Sequence, residues 1–344
     1  MAGGRSRQRV TIGEIAAEAG VSSATVSKVL NGRSDVSAAT RARVQELMDL
    51  HHYQRRRPRR RGGVVDLVMN ELDSLWSIEI IRGAQEALAE IGVGMVLSAV
   101  HGTSAGTGEW LEQIAGRRSD GAILVVSDLT PRQRARLAAL KVPFVLVDPI
   151  GTVDAGVPTI GATNWAGAIS AVEHLVALGH RRIAHLAGPR QLLCSRARAD
   201  GYRAAMERAD LPVHDGWLRF GEFNDRSGRA ELAALLDETA ARGDAPPTAV
   251  FAASDLQAFG AYTALRERGL RIPEDISIVG FDDVAVACWS DPPLTTVRQP
   301  LQEMAAMAAR TLVRLIDGEQ VDLPRVELAT RLLLRSSTAP PPSA

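Results

Sequence analysis

Apolar side chains recur every three or four residues at three places near the N-terminus of this 344-residue chain. This spacing predicts three helices, over residues 12–19, 23–30 and 38–50, each with one apolar face. A hydroxyl residue that can cap the helix precedes each of them: Thr11, Ser22 and Ser37. Two short helices joined by a tight turn at Gly20, with a third as support, form a helix-turn-helix.

From residue 64 onward, short apolar runs alternate with helical segments. The runs predict strands near residues 64–70, 94–100, 121–127, 144–148, 182–186, 249–253 and 277–280. The other segments predict helices near residues 78–91, 109–115, 131–139, 166–178, 195–209, 228–236 and 258–268. This alternation predicts an α/β body of two doubly wound parallel sheets. Because the pattern restarts after Thr163, we expect two lobes with a ligand cleft between them.

The formal net charge is zero, but the two signs are segregated along the chain. Residues 1–63 hold 13 Lys or Arg and 5 Asp or Glu, a net charge of +8. The remainder holds 27 basic and 35 acidic residues, a net charge of −8. Such a split is typical of a nucleic-acid-binding head attached to a body with another task. A disordered basic tail is the alternative, and the helical pattern argues against it.

The second helix of a helix-turn-helix lies in the DNA major groove. Its outward side chains here are small or polar, unlike the Glu–Lys pairs of a merely solvated helix: Ser23, Ala24, Thr25, Ser27 and Lys28. Hydroxyls can bind phosphates or bases, the Ala24 methyl can contact a thymine methyl, and Lys28 can reach guanine acceptors. The sequence therefore favours DNA binding over the alternative of a plain three-helix bundle.

Residues 10–32, VTIGEIAAEAGVSSATVSKVLNG, followed by VSAATR at 36–41, resemble the head of the lactose-repressor (LacI/GalR) family of transcription regulators. That resemblance implies a helix-turn-helix dimer on a palindromic double-stranded operator. By position it implies that Ser23, Ala24 and Lys28 approach the bases. The further DNA contacts that we predict come from Thr11, Ser22, Thr25, Ser27, Asn31, Tyr53, Arg55, Arg56 and Arg57.

The segment after Tyr53 departs from that family. Relatives carry a short hinge helix there, whose leucine opens a base step in the minor groove. Here the segment 54–63 reads QRRRPRRRGG, with Pro58 in what would be the helix interior and Gly62 near the position of the leucine. We therefore expect a disordered arginine-rich linker that contacts phosphates or the minor groove, and an operator that is bent less than those of the relatives.

The body resembles the same family and also the periplasmic sugar-binding proteins. The motifs that carry this resemblance are EHLVALGHRRIAHLAG at 173–188, SRARADGY at 195–202, ASD at 253–255, IVGFDD at 278–283 and PPLTTVRQ at 292–299. The resemblance implies a sugar or sugar-derived effector in the cleft and, by position, four contact residues: Trp76, Arg198, Ser254 and Asp282. Three further candidates near the cleft are Asp148, Trp165 and Asp255.

Each of these candidates has a structural alternative. Aromatic faces stack on the C–H surfaces of sugars, and charged side chains hold sugar hydroxyls. A tryptophan can equally pack in the core, Arg198 and Asp282 can form a structural salt bridge, and Asp255 can cap a helix. The sequence leaves these alternatives open.

The sequence carries no motif of catalysis, and we predict neither enzymatic activity nor a cofactor or metal. Cys194 and Cys288 lie far apart and outside any CxxC pattern. The glycine-rich segment 102–108 lacks the lysine of a P-loop, and the adjacent Asp282 and Asp283 point to opposite sides of a strand. The apolar runs are too short to span a membrane and no secretory signal is recognisable, so we expect a cytoplasmic protein.

We therefore predict a homodimeric, sugar-responsive repressor of carbohydrate-utilisation genes. A dimer is expected because one short recognition helix reads too few bases. The predicted organisation is a DNA-binding head over 1–53, the linker over 54–63, a two-lobed body over 64–338 and a disordered Pro-rich tail over 339–344. An activator or global regulator on the same scaffold, and a non-regulatory sugar-binding protein, are the alternatives.

Overall fold

The computed structural model describes residues 12–30, 36–51, 63–70, 72, 74–100, 109–125, 130–150, 156–321 and 325–342. The chain forms two compact units, Met1–Arg60 and Arg61–Ala344. We name the first unit the head and the second unit the body.

Three helices form the head: α1, Ile12–Ala19; α2, Ser23–Leu30; and α3, Ala38–Leu50. Their apolar faces meet in a small core in which Ile15 and Val44 are fully buried. The Thr25 N–H donates to Ser22 Oγ at 3.2 Å, which caps α2. Gly20 has a φ of 68°, a left-handed conformation that glycine adopts without strain, and it ends α1 as predicted. The predicted helix-turn-helix is confirmed.

The first lobe of the body is a six-stranded sheet with helices on both faces. Its strands are β1, Val64–Met69; β2, Gly94–Ala99; β3, Gly121–Val125; β4, Phe144–Val147; β5, Thr159–Ala162; and β11, Arg325–Leu328. Its helices are α4, Leu75–Ile91; α5, Glu109–Arg117; α6, Pro131–Leu140; and α11, Leu301–Ile316. All strand pairs are parallel, in the order β11-β5-β4-β3-β1-β2. The main core lies between the sheet and the α4–α11 layer.

The second lobe repeats this arrangement. Its strands are β6, Ile183–Ala187; β7, Leu218–Phe220; β8, Ala249–Ala252; β9, Ser277–Asp282; β10, Thr295–Arg298; and β12, Arg331–Leu333. Its helices are α7, Asn164–Ala177; α8, Leu193–Arg208; α9, Asp225–Arg242; and α10, Asp255–Glu267, with a 3₁₀ turn at Ala285–Cys288. The order is β12-β10-β9-β8-β6-β7. The edge strand β12 runs antiparallel to β10, a departure from the predicted all-parallel sheet.

Three crossings of the chain join the two lobes. Thr163 links β5 to α7, residues 299–300 link β10 to α11, and residues 329–330 link β11 to β12. The Thr330 N–H donates to Thr163 Oγ1 at 2.9 Å, and Thr330 Oγ1 donates to Thr163 O at 3.2 Å. Two of the three crossings are therefore bonded to each other, and we name this place the Thr163–Thr330 hinge.

The prediction of a disordered C-terminal tail is wrong for its first residues, because polar groups of the second lobe bind them. Ser337 is fully buried, and its Oγ donates to Ile278 O at 2.6 Å. The Ala339 N–H donates to Ser277 Oγ at 3.0 Å, and Ala339 O lies 2.9 Å from His180 Nε2. These bonds order the segment despite its proline-rich composition, and residues 343–344 lie outside the described part of the chain.

Candidate functional site

A cavity of about 320 Å³ lies in the cleft between the two lobes of the body. It is lined by residues at the carboxyl ends of the parallel strands and by the loops that follow them. The first lobe contributes Met69, Asn70, Ser74, Trp76, Ser77, Val125, Asp148 and Ile150. The second contributes Pro189, Gln191, Leu192, Cys194, Arg198, Glu222, Phe223, Asn224, Ser254, Leu256, Asp282 and Val284. Five of the seven predicted effector residues share this cavity: Trp76, Asp148, Arg198, Ser254 and Asp282.

Arg198, on α8, is the cation of this cavity, and its neighbours hold it in place. Its Nε donates to Asn164 Oδ1 at 2.8 Å, and its Nη1 donates to Ala253 O. Nη1 also lies 3.5 Å from Asp282 Oδ1, and the guanidinium carbon lies 3.8 Å from the centroid of the Phe281 ring. The guanidinium plane is therefore fixed by hydrogen bonds along its edge and by an aromatic face.

Gly201 lets α8 bring Arg198 close to Asn164. A Cβ atom built on Gly201 would lie 2.5 Å from Trp165 O, so any other residue would push α8 away from the start of α7. Asn164 is buried, and its Nδ2 donates to Ala162 O at 3.1 Å, which leaves its Oδ1 for the arginine. Asn164 was not among the predicted site residues, although it lies directly beside Trp165 at the start of α7.

Asp282 ends β9 and carries the negative charge opposite Arg198. Its Oδ1 accepts a hydrogen bond of 2.6 Å from Gln299 Nε2, at one of the crossings between the lobes. Burial raises the pKa of Asp282, whereas Arg198 and Gln299 act in the opposite direction. Its φ of 117° is rare outside glycine, and such backbone strain clusters at functional sites.

Asp148 follows β4 and projects into the cavity from the first lobe. Its φ is 45°, its N–H donates to Ile160 O at 3.0 Å, and the residue is only 9% exposed. No described residue donates a hydrogen bond to its carboxylate. Burial raises the pKa of Asp148 to about 6, with Arg198 lowering it and Glu327 raising it further. Asp148 is thus a nearly buried acceptor for which the described protein supplies no donor.

Two predicted effector residues, Asp255 and Trp165, do not line the cavity, and neither takes the alternative role of helix cap or core residue. Asp255 is fully buried, and its Oδ1 accepts from Thr296 Oγ1 at 2.5 Å while its Oδ2 accepts from the Val284 N–H at 2.9 Å. These bonds occupy its carboxylate within the second lobe. Trp165 is 49% exposed on α7, and its contribution near the site is the backbone approach to Gly201.

Each lobe supplies one aromatic side chain to the cavity. Trp76 lies in the first turn of α4, half-buried against the main core of the first lobe. Phe223 lies in the loop after β7, where its ring occupies the space that a side chain at Gly188 would need. Its ring centroid is 5.4 Å from the guanidinium carbon of Arg198. Phe223 was not among the predicted site residues, although an aromatic side chain in a polar loop that follows a strand can indicate a ligand contact.

Ser254 lines the cavity and also caps a helix, because its Oγ accepts from the Gln257 N–H at 3.2 Å at the start of α10. Cys194 lines the cavity too, but burial raises the pKa of its thiol to about 12. The thiol therefore stays protonated at neutral pH, and a protonated thiol is a poor nucleophile. In the described ranges, no group of three or more His, Cys, Asp or Glu side chains could hold a metal ion. Nor does any helix among the residues searched have the length and apolarity to cross a membrane.

In the head, α2 buries one side and exposes the other. Val26 and Val29 pack into the core, whereas Ser23, Ala24 and Lys28 are exposed. Ser22 is exposed and Thr25 half-exposed, with their hydroxyl oxygens 2.9 Å apart. Of the other predicted DNA contacts, the Ser27 side chain and the following residues lie outside the described part of the chain: Thr11, Asn31, Tyr53, Arg55, Arg56 and Arg57.

The two units match two known protein families. Residues 11–56 match the profile of bacterial regulatory proteins of the lacI family, and residues 172–338 match that of the periplasmic binding protein-like domain. Over 96% of its length the chain is 36% identical to the HTH-type transcriptional regulator CelR of Thermobifida fusca, and the match covers 99% of that relative.

Two solved structures are similar along nearly the whole chain. The transcriptional regulator CelR–cellobiose complex gives a TM-score of 0.73 at 35% identity, covering 96% of this chain and all of that one. The lac repressor dimer bound to operator and the anti-inducer ONPF gives a TM-score of 0.71 at 29% identity, with the same coverage. Both the helical head and the two-lobed body are therefore found together in proteins of known structure.

Proposed function

This chain belongs to the LacI family of bacterial regulatory proteins and is a DNA-binding transcriptional regulator, and from that premise we propose that it represses carbohydrate-utilisation genes as a sugar-controlled homodimer. The domains that we assign to these tasks are the head, 1–53, the linker, 54–63, and the body, 64–338. In this proposal the head reads a palindromic operator, and a sugar in the cleft of the body controls its affinity.

The observation that carries the sugar proposal is the cavity itself, because both lobes line it with side chains suited to a polyol. Trp76 and Phe223 offer aromatic faces for C–H surfaces, while Asp148, Arg198 and Asp282 offer charged groups for hydroxyls. The similar CelR structure is a cellobiose complex, which supports the same class of ligand. A ligand that contacts both lobes stabilises one relative position of the lobes about the Thr163–Thr330 hinge.

The homodimer proposal rests on the size of the recognition helix. The helix α2 spans only 8 residues, so a single head reads few bases, and two heads on half-sites one turn apart supply the missing specificity. The second lobe exposes Trp289 and Leu334, which offer apolar surface for a partner. Their segments are adjacent, because the Ser336 N–H donates to Pro293 O at 3.0 Å.

An electrophoretic mobility shift with the full-length protein tests both parts of the proposal. We expect a palindromic site upstream of a carbohydrate-utilisation gene to be bound without sugar, and cellobiose, maltose or a related saccharide to release it. Absence of sequence-specific binding would contradict the operator assignment. Specific binding that no saccharide changes would contradict the sugar effector while leaving the DNA-binding function intact.

Lys28→Ala tests the placement of α2 in the major groove. We expect specific operator binding to weaken by ~1–3 kcal/mol, because a lysine contact to base acceptors is lost. Lys141→Ala is the matched control, since Lys141 is the chain's other lysine and lies at the end of α6 in the body. Equal operator affinity for both variants would show that α2 does not read the bases.

A further inference from the structure

Asp148 lies nearly buried in the cleft. None of the described residues donates a hydrogen bond to its carboxylate. An ionised carboxylate only accepts hydrogen bonds, so a partner must bring O–H or N–H groups to it. The residue lies in the cavity at 9% exposure, and its backbone has a φ of 45°. A bound ligand with hydroxyl groups supplies the missing donors.

Arg198 already donates hydrogen bonds to the protein, which weakens its ability to bind an anion. Two of its three guanidinium nitrogens are committed, Nε to Asn164 Oδ1 and Nη1 to Ala253 O, and Nη1 also faces Asp282. Bidentate binding of a phosphate or carboxylate needs two parallel N–H groups of one guanidinium edge. Each of the two edges of the Arg198 guanidinium includes a nitrogen that already donates to the protein, so a bidentate anion would compete with Asn164 or Ala253.

The charges that line the cavity also disfavour an anion. The described lining residues include three carboxylates, Asp148, Glu222 and Asp282, against the single cation Arg198. When all are ionised, the cavity carries a net charge of −2. Like-charge contacts in a partly desolvated site act as a strong filter against the wrong ligand. The remaining polar groups at the cavity are uncharged amides and hydroxyls, among them Asn70, Gln191 and Asn224.

From these observations we infer that the cleft selects an uncharged saccharide, with Asp148 as the specificity-determining residue, and that it rejects phosphorylated and other anionic sugars. This inference rests on the proposed sugar effector and narrows its chemical class. An uncharged hydroxyl both donates and accepts, so one ligand group can donate to Asp148 and still accept a hydrogen bond from another group. The inference concerns anions alone, because the charge of the lining carboxylates acts against a phosphate or carboxylate group.

Calorimetric titration of the full-length protein with matched pairs of sugars tests this selectivity. The probes are maltose and maltose 6′-phosphate, cellobiose and cellobiose 6-phosphate, and glucose and glucose 6-phosphate. We expect a neutral member to bind and its phosphorylated partner to bind at least about 30-fold more weakly. Equal or tighter binding of a phosphorylated partner would overturn the inference but leave a sugar effector in place. Binding of none of the probes would instead contradict the proposed sugar effector.

Asp148→Asn asks whether Asp148 is the cause of the selectivity. Asparagine tolerates the left-handed backbone, and far-UV circular dichroism checks that the variant is folded. We expect the affinity for the neutral sugar to fall by about 10-fold or more, and the ratio of neutral to phosphorylated affinity to fall with it. Asp317→Asn is the control, an exposed aspartate of the same lobe outside the cavity. A ratio that Asp148→Asn leaves unchanged would overturn the role of Asp148, because a merely structural effect weakens both ligands alike.

Discussion

Asp148 and Asp282 hold equivalent places in the two lobes, yet only one of them is paired. Both lie at the end of the third strand from the same edge of a six-stranded sheet, β4 in one lobe and β9 in the other, and both have positive φ. Asp282 contacts Arg198 and accepts from Gln299, whereas no described residue donates to Asp148. The repeated topology therefore places two acceptors at the cleft, and the loops and helices around them decide which one is left for a ligand. In the second lobe, Arg198 and Asp282 are held by protein groups before a ligand binds. In the first lobe, the Asp148 carboxylate receives no hydrogen bond from a described residue.

The largest loss of stability is expected from Arg198→Ala, which removes the partner of Asp282. The change removes the cation from a nearly buried pair, so Asp282 must either ionise without its partner or take up a proton, and Asn164 and Ala253 lose their donor. We expect the free energy of unfolding of the body to fall by about 3–5 kcal/mol, as for other broken buried ion pairs. Urea denaturation followed by circular dichroism measures the change.

Arg203→Ala is the matched control for Arg198→Ala. Arg203 lies one turn further along α8 and pairs with Asp200, but both side chains are largely exposed. Exposed pairs contribute little, so a loss below about 1 kcal/mol is expected. Similar losses for the two variants would show that the second lobe is not organised around Arg198.

In contrast to Arg198→Ala, Asp148→Asn is expected to stabilise the protein in the absence of ligand. The pKa of Asp148 is raised to about 6 in the folded body from an ordinary value of 3.8, because burial disfavours the charged form. A shift of about two units corresponds to a cost of at most about 3 kcal/mol at neutral pH, which the uncharged amide avoids. Thermal unfolding at pH 7.5 should therefore show a variant that is more stable than the parent.

The pH dependence of that gain checks its cause. Between pH 4 and 6 the folded parent holds the Asp148 proton more tightly than the unfolded chain does, so this residue's contribution to stability falls as pH rises. The advantage of Asp148→Asn should be absent below about pH 4, grow through pH 5 and level off above pH 7. A destabilised variant would show that Asp148 has an internal partner after all, and a pH-independent advantage would show that the gain does not come from its ionisation.

Much of the fold was predictable because its elements carry strong local patterns. The central strands are continuous apolar runs, as in β3, Gly121–Val125, and the predicted helices such as α4, Leu75–Ile91, lie within a few residues of their observed bounds. The strands that were missed span only three or four residues each. Three of them, β7, β11 and β12, are edge strands, and two, β5 and β10, lie next to an edge strand. Three or four residues carry too little periodicity, and only the neighbouring strand makes them β structure. The amphipathic helix α11, Leu301–Ile316, has a clear pattern and was within reach of the sequence.

The site was predictable as far as strand ends could be located. Asp148 and Asp282 followed from their places after apolar strands, and Arg198 from its motif. The sequence could not tell that Asp255, adjacent to the cavity residue Ser254, has both carboxylate oxygens bound inside its own lobe. Nor could it tell that Asn164 orients Arg198, because that contact depends on the close approach of α8 to α7 at residue 201. Side-chain partners across 34 or more residues of sequence leave no local trace.

A smaller loss of stability is expected at the Thr163–Thr330 hinge, where the two lobes are joined. Thr330→Val keeps the shape of the side chain but removes the hydroxyl that donates to Thr163 O. We expect a loss of about 1 kcal/mol in unfolding free energy and a change in how strongly the sugar alters operator affinity. Thr263→Val, which removes an exposed hydroxyl bonded to Phe259 O within α10, is the control. Hinge and control variants that show the same sugar response would argue against a role of this crossing in coupling.

The smallest effect is expected from Glu222→Gln, which changes a charge at the exposed rim of the same cavity. Glu222 lines the cavity but is open to solvent, unlike Asp148 and Asp282. Water and salt screen its charge, so we expect stability within about 0.5 kcal/mol of the parent and a fall of at most about threefold in the preference for neutral over phosphorylated sugar. Titrations at low salt and at high salt separate the contributions, because the part due to Glu222 should vanish at high salt while the part due to Asp148 persists. If Glu222→Gln lowered the preference for neutral sugar as much as Asp148→Asn does, the selectivity would come from the exposed rim of the cleft. The difference between Asp148 and Asp282 would then not explain it.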